Sequence, residues 1–166
     1  MQSAEVSDPA ELYRDVAVML DASRNLTNRN PGTIAPWLDG LNLSPGASVF
    51  HLGCGTGYYS AIMAEAVGPK GRLTAVEVDP GLPSRARKCL EDIDNVEVIE
   101  GDGGALPPGR RDAILVHAGV THLTAAWIES LKPGGTPQSL RRHAHTAGPG
   151  CWLHAPDYCL STRPSR

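Results

Sequence analysis

A parallel α/β sheet with helices on both faces is the fold class this 166-residue sequence predicts, and three observations predict it. Short apolar runs alternate with amphipathic stretches from Ser48 onward. Successive runs end in glycines or a carboxylate, as strand ends facing a ligand do. The length and the 41% hydrophobic content suit a single domain with a sizeable core. Strand then helix, repeated, requires right-handed crossovers and therefore a parallel sheet.

Before the alternation, Asp8-Pro9-Ala10-Glu11 reads as a helix start, with a capping residue, a proline at the first helical position and a capping-box acid. Leu12, Val16, Met19 and Leu20 follow at helical spacing. Asn25 to Pro31 is a polar loop, and Ile34, Trp37, Leu38 and Leu41 share one face of a helix expected over Thr33 to Leu41. Residues 1–45 thus form an expected N-terminal helical segment packing on the core.

Ser48 to Leu52 is the first strand of the main unit, 46–135. Helices are expected over Tyr58–Val67, Leu82–Ile93 and Thr121–Leu131, and further strands over Leu73–Val78, Val96–Ile99 and Ala113–Val116. Lys132-Pro133-Gly134-Gly135 reads as a turn. Beyond it, residues 136–166 carry four arginines, one acid, four prolines and only three of the residues Val, Ile, Leu, Met and Phe. So few apolar groups do not offset ordering entropy, so an irregular tail is expected and the sheet is predicted to lack its last strands.

Charge and composition exclude several classes. The net charge of −3 argues against a general nucleic-acid or anionic-membrane binder. Apolar stretches such as Ala113–Val116 fall far short of the roughly 18 residues a transmembrane helix requires. The cysteines at 54, 89, 151 and 159 form no CxxC pair, so neither a disulfide framework nor a metal site is expected, and a cytoplasmic location is.

Gly53-Cys54-Gly55-Thr56-Gly57 follows the first strand and opens a helix. Its glycines permit backbone turns and close ligand approach that a Cβ would block. A plain strand–helix turn would use them too. The GxGxG spacing departs from the GxGxxG of dinucleotide sites and disfavours a nicotinamide-linked oxidoreductase. Glu77, 20 residues beyond Gly57 at the second strand end, can accept hydrogen bonds from ribose hydroxyls. Asp102, at the third strand end beside Gly103, can accept from an adenine amino group.

Val49-Phe50-His51-Leu52-Gly53-Cys54-Gly55-Thr56-Gly57-Tyr58, Ala75-Val76-Glu77-Val78-Asp79, Glu100-Gly101-Asp102-Gly103 and Leu131-Lys132-Pro133-Gly134-Gly135 resemble, in order, the motifs of class I S-adenosylmethionine-dependent methyltransferases. Gly57-Tyr58-Tyr59 and Glu100-Gly101-Asp102-Gly103 most resemble the protein-L-isoaspartate O-methyltransferase branch. The resemblance spans about residues 30–135 and implies a Rossmann-like fold with S-adenosyl-L-methionine as cofactor. It further implies Gly53, Gly55 and Gly57 around the methionine part, Glu77 on the ribose, and Asp102 with Gly103 on adenine. The implied reaction is O-methyl transfer to a carboxylate such as a protein L-isoaspartyl residue, with a methyl-acceptor protein or small molecule as partner. The alternative is an inactive cofactor-binding remnant.

The chain departs from that pattern at three places. Thr27-Asn28-Arg29-Asn30-Pro31-Gly32 stands where the family resembles Thr-Ile-Ser-x-Pro-His, which puts Arg29 at the position of a serine associated with catalysis. His51 stands where the family has an acid and reads as a buried neutral histidine accepting one hydrogen bond. No strand pattern follows Gly135. The candidate catalytic residues are Arg29, which can recognise a substrate carboxylate or be a solvated surface cation, and His117, which can orient a substrate, act as a base, or simply face solvent or pack at a strand end.

Overall fold

A computed structural model describes residues 15–106, 108–120 and 122–141. An antiparallel hairpin comes first, β1 (Met19–Asp21) against β2 (Leu26–Thr27), joined by the 3₁₀ turn Ala22–Arg24. Met19 and Leu20 are therefore in a strand and not in the helix their spacing predicted. The reason is local: the Asp21 carboxylate accepts from the Ser23 amide at 2.9 Å, and Asn25 takes a left-handed φ of 50°, which together reverse the chain. The helix start expected at Asp8 lies outside the described residues. Helix α1 (Pro31–Gly40) begins with Pro31, whose missing N–H costs nothing there, and buries Ile34 and Trp37.

The main sheet is built from β3 (Ser48–Leu52), β4 (Arg72–Glu77), β5 (Val96–Glu100), β6 (Arg111–Val120) and β7 (Leu131–Arg141). All its neighbours pair in parallel, in the order β5-β4-β3-β6-β7. Helices α2 (Tyr58–Val67), α3 (Leu82–Cys89) and α4 (Ala125–Ser130) lie between successive strands. Alternation along β3 sends Val49 and Phe50 into different cores. One core joins Val49, Leu73 and Leu115 to Trp37, Tyr59 and Met63 of α1 and α2. The other joins Phe50, Val76, Ile114 and Val116 to Trp127 of α4.

Strand β7 corrects the expectation for the end of the unit. Lys132–Gly135 is not a turn, and residues 136–141 are not irregular: Thr136, Pro137 and Gln138 sit opposite Ala113, Ile114 and Leu115 of β6. The sheet has five parallel strands where four were expected. The prolines at 133 and 137 argued against a strand, but β7 is at the edge of the order, where a missing N–H is tolerated. Gly135 allows the approach, since a Cβ there would lie 2.8 Å from the Asp112 carbonyl oxygen. Lys132 also pairs with the Asp112 carboxylate at 2.8 Å. Residues 142–166, with the remainder of the expected tail, lie outside the described residues. No helix among the described residues is long and apolar enough to cross a membrane.

Candidate functional site at the strand ends

The chain leaves β3 toward β4 on one side and later returns to β6 on the other, so the carboxyl end of β3 is the topological switch point of the sheet. A crevice opens at such a point, and ligands bind there. The glycine loop occupies it. The amides of Gly53 and Cys54 both donate to the Val76 carbonyl, at 2.8 and 3.2 Å, which ties the loop to β4. Gly53, Gly55 and Gly57 have φ values of 77°, 59° and 90°, in the region that favours glycine. Their surroundings differ. A Cβ on Gly53 would lie 3.0 Å from the His117 carbonyl oxygen, and one on Gly57 2.7 Å from Leu90 Cδ1. At Gly55 the nearest atoms are the side-chain ends of Leu20 and Asn28, at 3.4 and 3.5 Å.

Glu77 closes β4 and is 8% exposed. Its Oε2 accepts from the Gly55 amide at 2.8 Å, and its Oε1 accepts from the Val78 and Asp79 amides at 2.9 and 3.0 Å. Three backbone donors satisfy a buried carboxylate that would otherwise be costly. A carboxylate has about four lone-pair sites, so capacity to accept remains. Beside Glu77, Val78 is 67% exposed, an apolar side chain at the strand ends that the sequence reading did not single out. At the end of β5, Asp102 is exposed and uses Oδ1 to accept from the Gly104 amide at 2.8 Å. Gly103 is buried, its carbonyl accepts from Trp127 Nε1 at 3.1 Å, and a Cβ on it would meet Leu52 Cδ1 at 2.6 Å. The cofactor-side residues named from the sequence therefore follow one another along the strand ends of β3, β4 and β5.

On the β6 side of the loop the structure brings Arg29 and His117 into one neighbourhood, through Tyr59. The His117 ring lies 5.2 Å from Tyr59, edge to face, and 5.9 Å from His51, stacked. The Tyr59 hydroxyl donates to the Arg29 carbonyl at 3.3 Å. Burial, and then the positive charge of Arg29, hold the His117 imidazole down to about 4. His51 is fully buried and kept well below the usual histidine range, first by burial and then by His117. Its Nδ1 lies 2.8 Å from Ser60 Oγ, while His51 Nε2 and His117 Nδ1 are buried without a hydrogen-bond partner among the described residues. Burial also pushes the Tyr59 phenol up to about 12, so it remains a donor. Neither the contacts of Tyr59 nor the stacking of the two histidines is legible in the sequence. His117, expected just after the fourth strand, lies within β6 because that strand runs on to Val120, and the one signal available was that both histidines stand close to the glycine loop in the strand pattern.

The hairpin reaches the same loop. Arg24 pairs with Asp21 and with Asp79, just past Glu77, and Arg85 donates to the Leu20 carbonyl at 3.1 Å. Asn28 is buried, and its amide donates to Val18 at 2.8 Å. A shallow concavity of about 240 Å³ lined by Leu38, Leu43, Ile62 and Ala66 lies elsewhere, between α1 and α2.

A five-stranded parallel sheet with a glycine loop at its switch point and a buried carboxylate on the next strand end defines a Rossmann-like methyltransferase fold. Residues 5–137 match the family model of protein-L-isoaspartate(D-aspartate) O-methyltransferase, and the chain belongs to that family. The protein-L-isoaspartate O-methyltransferase of Ignicoccus hospitalis is 34% identical over 139 residues, covering 79% of this chain and 65% of that protein. Protein-L-isoaspartate O-methyltransferase 2 of Archaeoglobus fulgidus is 39% identical over 129 residues, covering 75% and 58%. A solved protein-L-isoaspartate O-methyltransferase superposes with a TM-score of 0.72 at 30% identity, covering 80% of this chain and 44% of that one. A Plasmodium falciparum structure in complex with S-adenosyl-L-homocysteine superposes at 0.68, covering 81% and 69%, and at 19% identity it shows the fold alone. The chain spans less than two thirds of the length of the curated relatives it matches.

Proposed function

We propose that the strand ends bind S-adenosyl-L-methionine and that the chain transfers its methyl group to a carboxylate, in the first place that of a protein L-isoaspartyl residue. The observation that carries this is Glu77: a buried carboxylate that fixes the glycine loop through the Gly55 amide and keeps accepting capacity at the switch point. The residues present fit the cofactor. Gly53, Gly55 and Gly57 all take a positive φ, which leaves the loop backbone bare of side chains at three places, and they would surround the methionine part. Glu77 would take ribose hydroxyls. Asp102, with Oδ2 outside the Gly104 bond, would take the adenine amino group beside the Gly103 backbone, with exposed Val78 as an apolar neighbour.

The cofactor supplies a methyl group already activated on a sulfonium sulfur. The chain's own part is to orient the acceptor and exclude water. A carboxylate acceptor is ionised near neutral pH and needs no general base. That suits His117, which is uncharged and weakly basic once held near 4. Its stacking with His51 and its edge contact with Tyr59 support a packing role behind the loop. The cysteines at 54 and 89 are free thiols, which suits a reducing compartment such as the cytoplasm.

Calorimetry with S-adenosyl-L-homocysteine tests the cofactor half, and formation of that product from an L-isoaspartyl peptide tests the transfer. We expect micromolar binding and peptide-dependent turnover. Binding without turnover on any carboxylate peptide would leave a cofactor-binding remnant, and absence of binding by folded protein would remove the proposal.

A further inference from the structure

Resting on that reading, we propose that Arg29 is the acceptor-side specificity residue, selecting a carboxylate over its neutral counterpart through its guanidinium. Arg29 has a φ of 51°, in the left-handed region that side-chain-bearing residues adopt at a cost. The surrounding structure holds it there. Before it, Asn28 is buried between the hairpin and the glycine loop, bonded to Val18 through its amide. At Arg29 itself the backbone carbonyl takes the Tyr59 hydroxyl. After it, Asn30 stands at the N-cap position of α1 and its side-chain oxygen accepts from the Thr33 hydroxyl at 3.1 Å.

The side chain is treated differently. Arg29 is exposed and forms no ion pair or side-chain hydrogen bond among the described residues, whereas Arg24, five positions earlier, is taken up by Asp21 and Asp79. The nearby carboxylate of Asp15 accepts from the Gly32 amide at 2.6 Å instead. Its backbone adjoins the glycine loop: the Asn28 side chain before it faces Gly55, and Tyr59, which holds the Arg29 carbonyl, packs against His117 on β6, away from the β4 and β5 ends that carry Glu77 and Asp102. A backbone held by Tyr59 thus carries an exposed planar cation with no partner among the described residues.

An anionic acceptor gains most from that arrangement. Guanidinium matches a carboxylate with two parallel N–H donors, a match that a neutral amide or ester does not offer. Pairing would also counter the repulsion between an incoming carboxylate and Glu77. Methylation removes the acceptor's charge, so the same group that recruits the acid lets the ester go. Arg29 is then a binding and discrimination group and not a catalytic base.

The test is equilibrium binding to the full chain saturated with S-adenosyl-L-homocysteine. The probes are a fluorescent peptide carrying one L-isoaspartyl residue and the same peptide with that carboxylate as a carboxamide. We expect the acid to bind tighter than the carboxamide in the wild type. Arg29→Gln should weaken the acid by about tenfold or more and change the carboxamide by less than about twofold, the loss expected of a charge-assisted bond. Arg29→Lys should recover part of the preference. Affinity for S-adenosyl-L-homocysteine should not change in either variant, which shows that the site is intact. Equal weakening of both peptides, an unchanged acid affinity in Arg29→Gln, or no preference in the wild type would each overturn the assignment. Failure of the methyl-transfer reading shows separately, as absent affinity of the wild type for S-adenosyl-L-homocysteine or absent turnover.

Discussion

Within the glycine loop the three glycines are not equivalent, and the difference is one of neighbours. A methyl group on Gly53 faces the His117 carbonyl, part of the sheet backbone, whereas one on Gly55 faces two side-chain ends at ordinary contact distance. Both have positive φ, a cost of about 1 kcal/mol for alanine. Gly53→Ala should therefore destabilise the protein by about 2–3 kcal/mol, and Gly55→Ala by only about 1 kcal/mol, as read by urea denaturation. Equal losses would mean that conformation alone sets the penalty. The glycines and Glu77 were legible because a strand-end turn and a ribose-binding acid each need a residue type at a fixed place in the pattern. That Glu77 also holds the Gly55 amide was not, because a side-chain bond spanning 22 residues leaves no local spacing to read. Arg29 was legible as a cation of either of two kinds. The Tyr59 hydroxyl on its carbonyl, 30 positions away, was not legible, because a contact that long leaves no local spacing to read.

At the level of elements, β3 and α2 have the limits the sequence predicted, since each is bounded by turn residues and filled with one period of apolar side chains. The hairpin and β7 were misread for opposite reasons. In the hairpin, Val16, Met19 and Leu20 happen to fit a helical period, while the Asp21–Asn25 reversal overrides it. In β7 no period is visible because Gly and Pro fill it, and the strand is held by pairing with β6. The hairpin lies over the glycine loop, tied to the end of β4 by Arg24 and Asp79, with Arg85 on Leu20. Hydrogen bonding to Arg24 is the first cause that holds the Asp79 carboxyl below its usual range, in keeping with that tie. Because the pair is at the surface, its loss should free the hairpin without unfolding the sheet. Arg24→Ala is expected to speed amide hydrogen exchange across residues 18–28 while exchange in β3 and β4 stays slow. Unchanged exchange in the hairpin would show that packing on the loop, not the ion pair, holds it.

For the molecule as a whole, the alternation of strands and helices revealed a parallel sheet, but pattern alone did not reveal where the order reverses, since that depends on pairings far apart in the chain. The same distance hid the histidine pair: His51 read correctly as buried, yet its stacking partner is 66 positions away. That pair has a consequence for global stability. In the unfolded chain both imidazoles take up a proton near pH 6.5. In the folded chain His117 does so only near 4 and His51 is held well below the usual range, mainly by burial. Between those limits the unfolded state binds more protons, so stability must rise with pH. The contribution is fully present above about pH 6.5 and is lost as pH falls toward 4, at a slope of up to about 1.4 kcal/mol per pH unit for each histidine. Urea midpoints measured from pH 7 to 4.5 should fall accordingly. His117→Asn should lower stability at pH 7 and flatten the fall below pH 6.5, and His51→Asn should do the same with the loss of the Ser60 bond added. Carboxylates held low, such as Asp112 at about 2 through Lys132, lose their contribution only at lower pH and leave this window to the histidines. A midpoint that is flat from pH 6.5 to 5 in the wild type, or a slope that survives both substitutions, would show that the two imidazoles are not kept neutral by the fold.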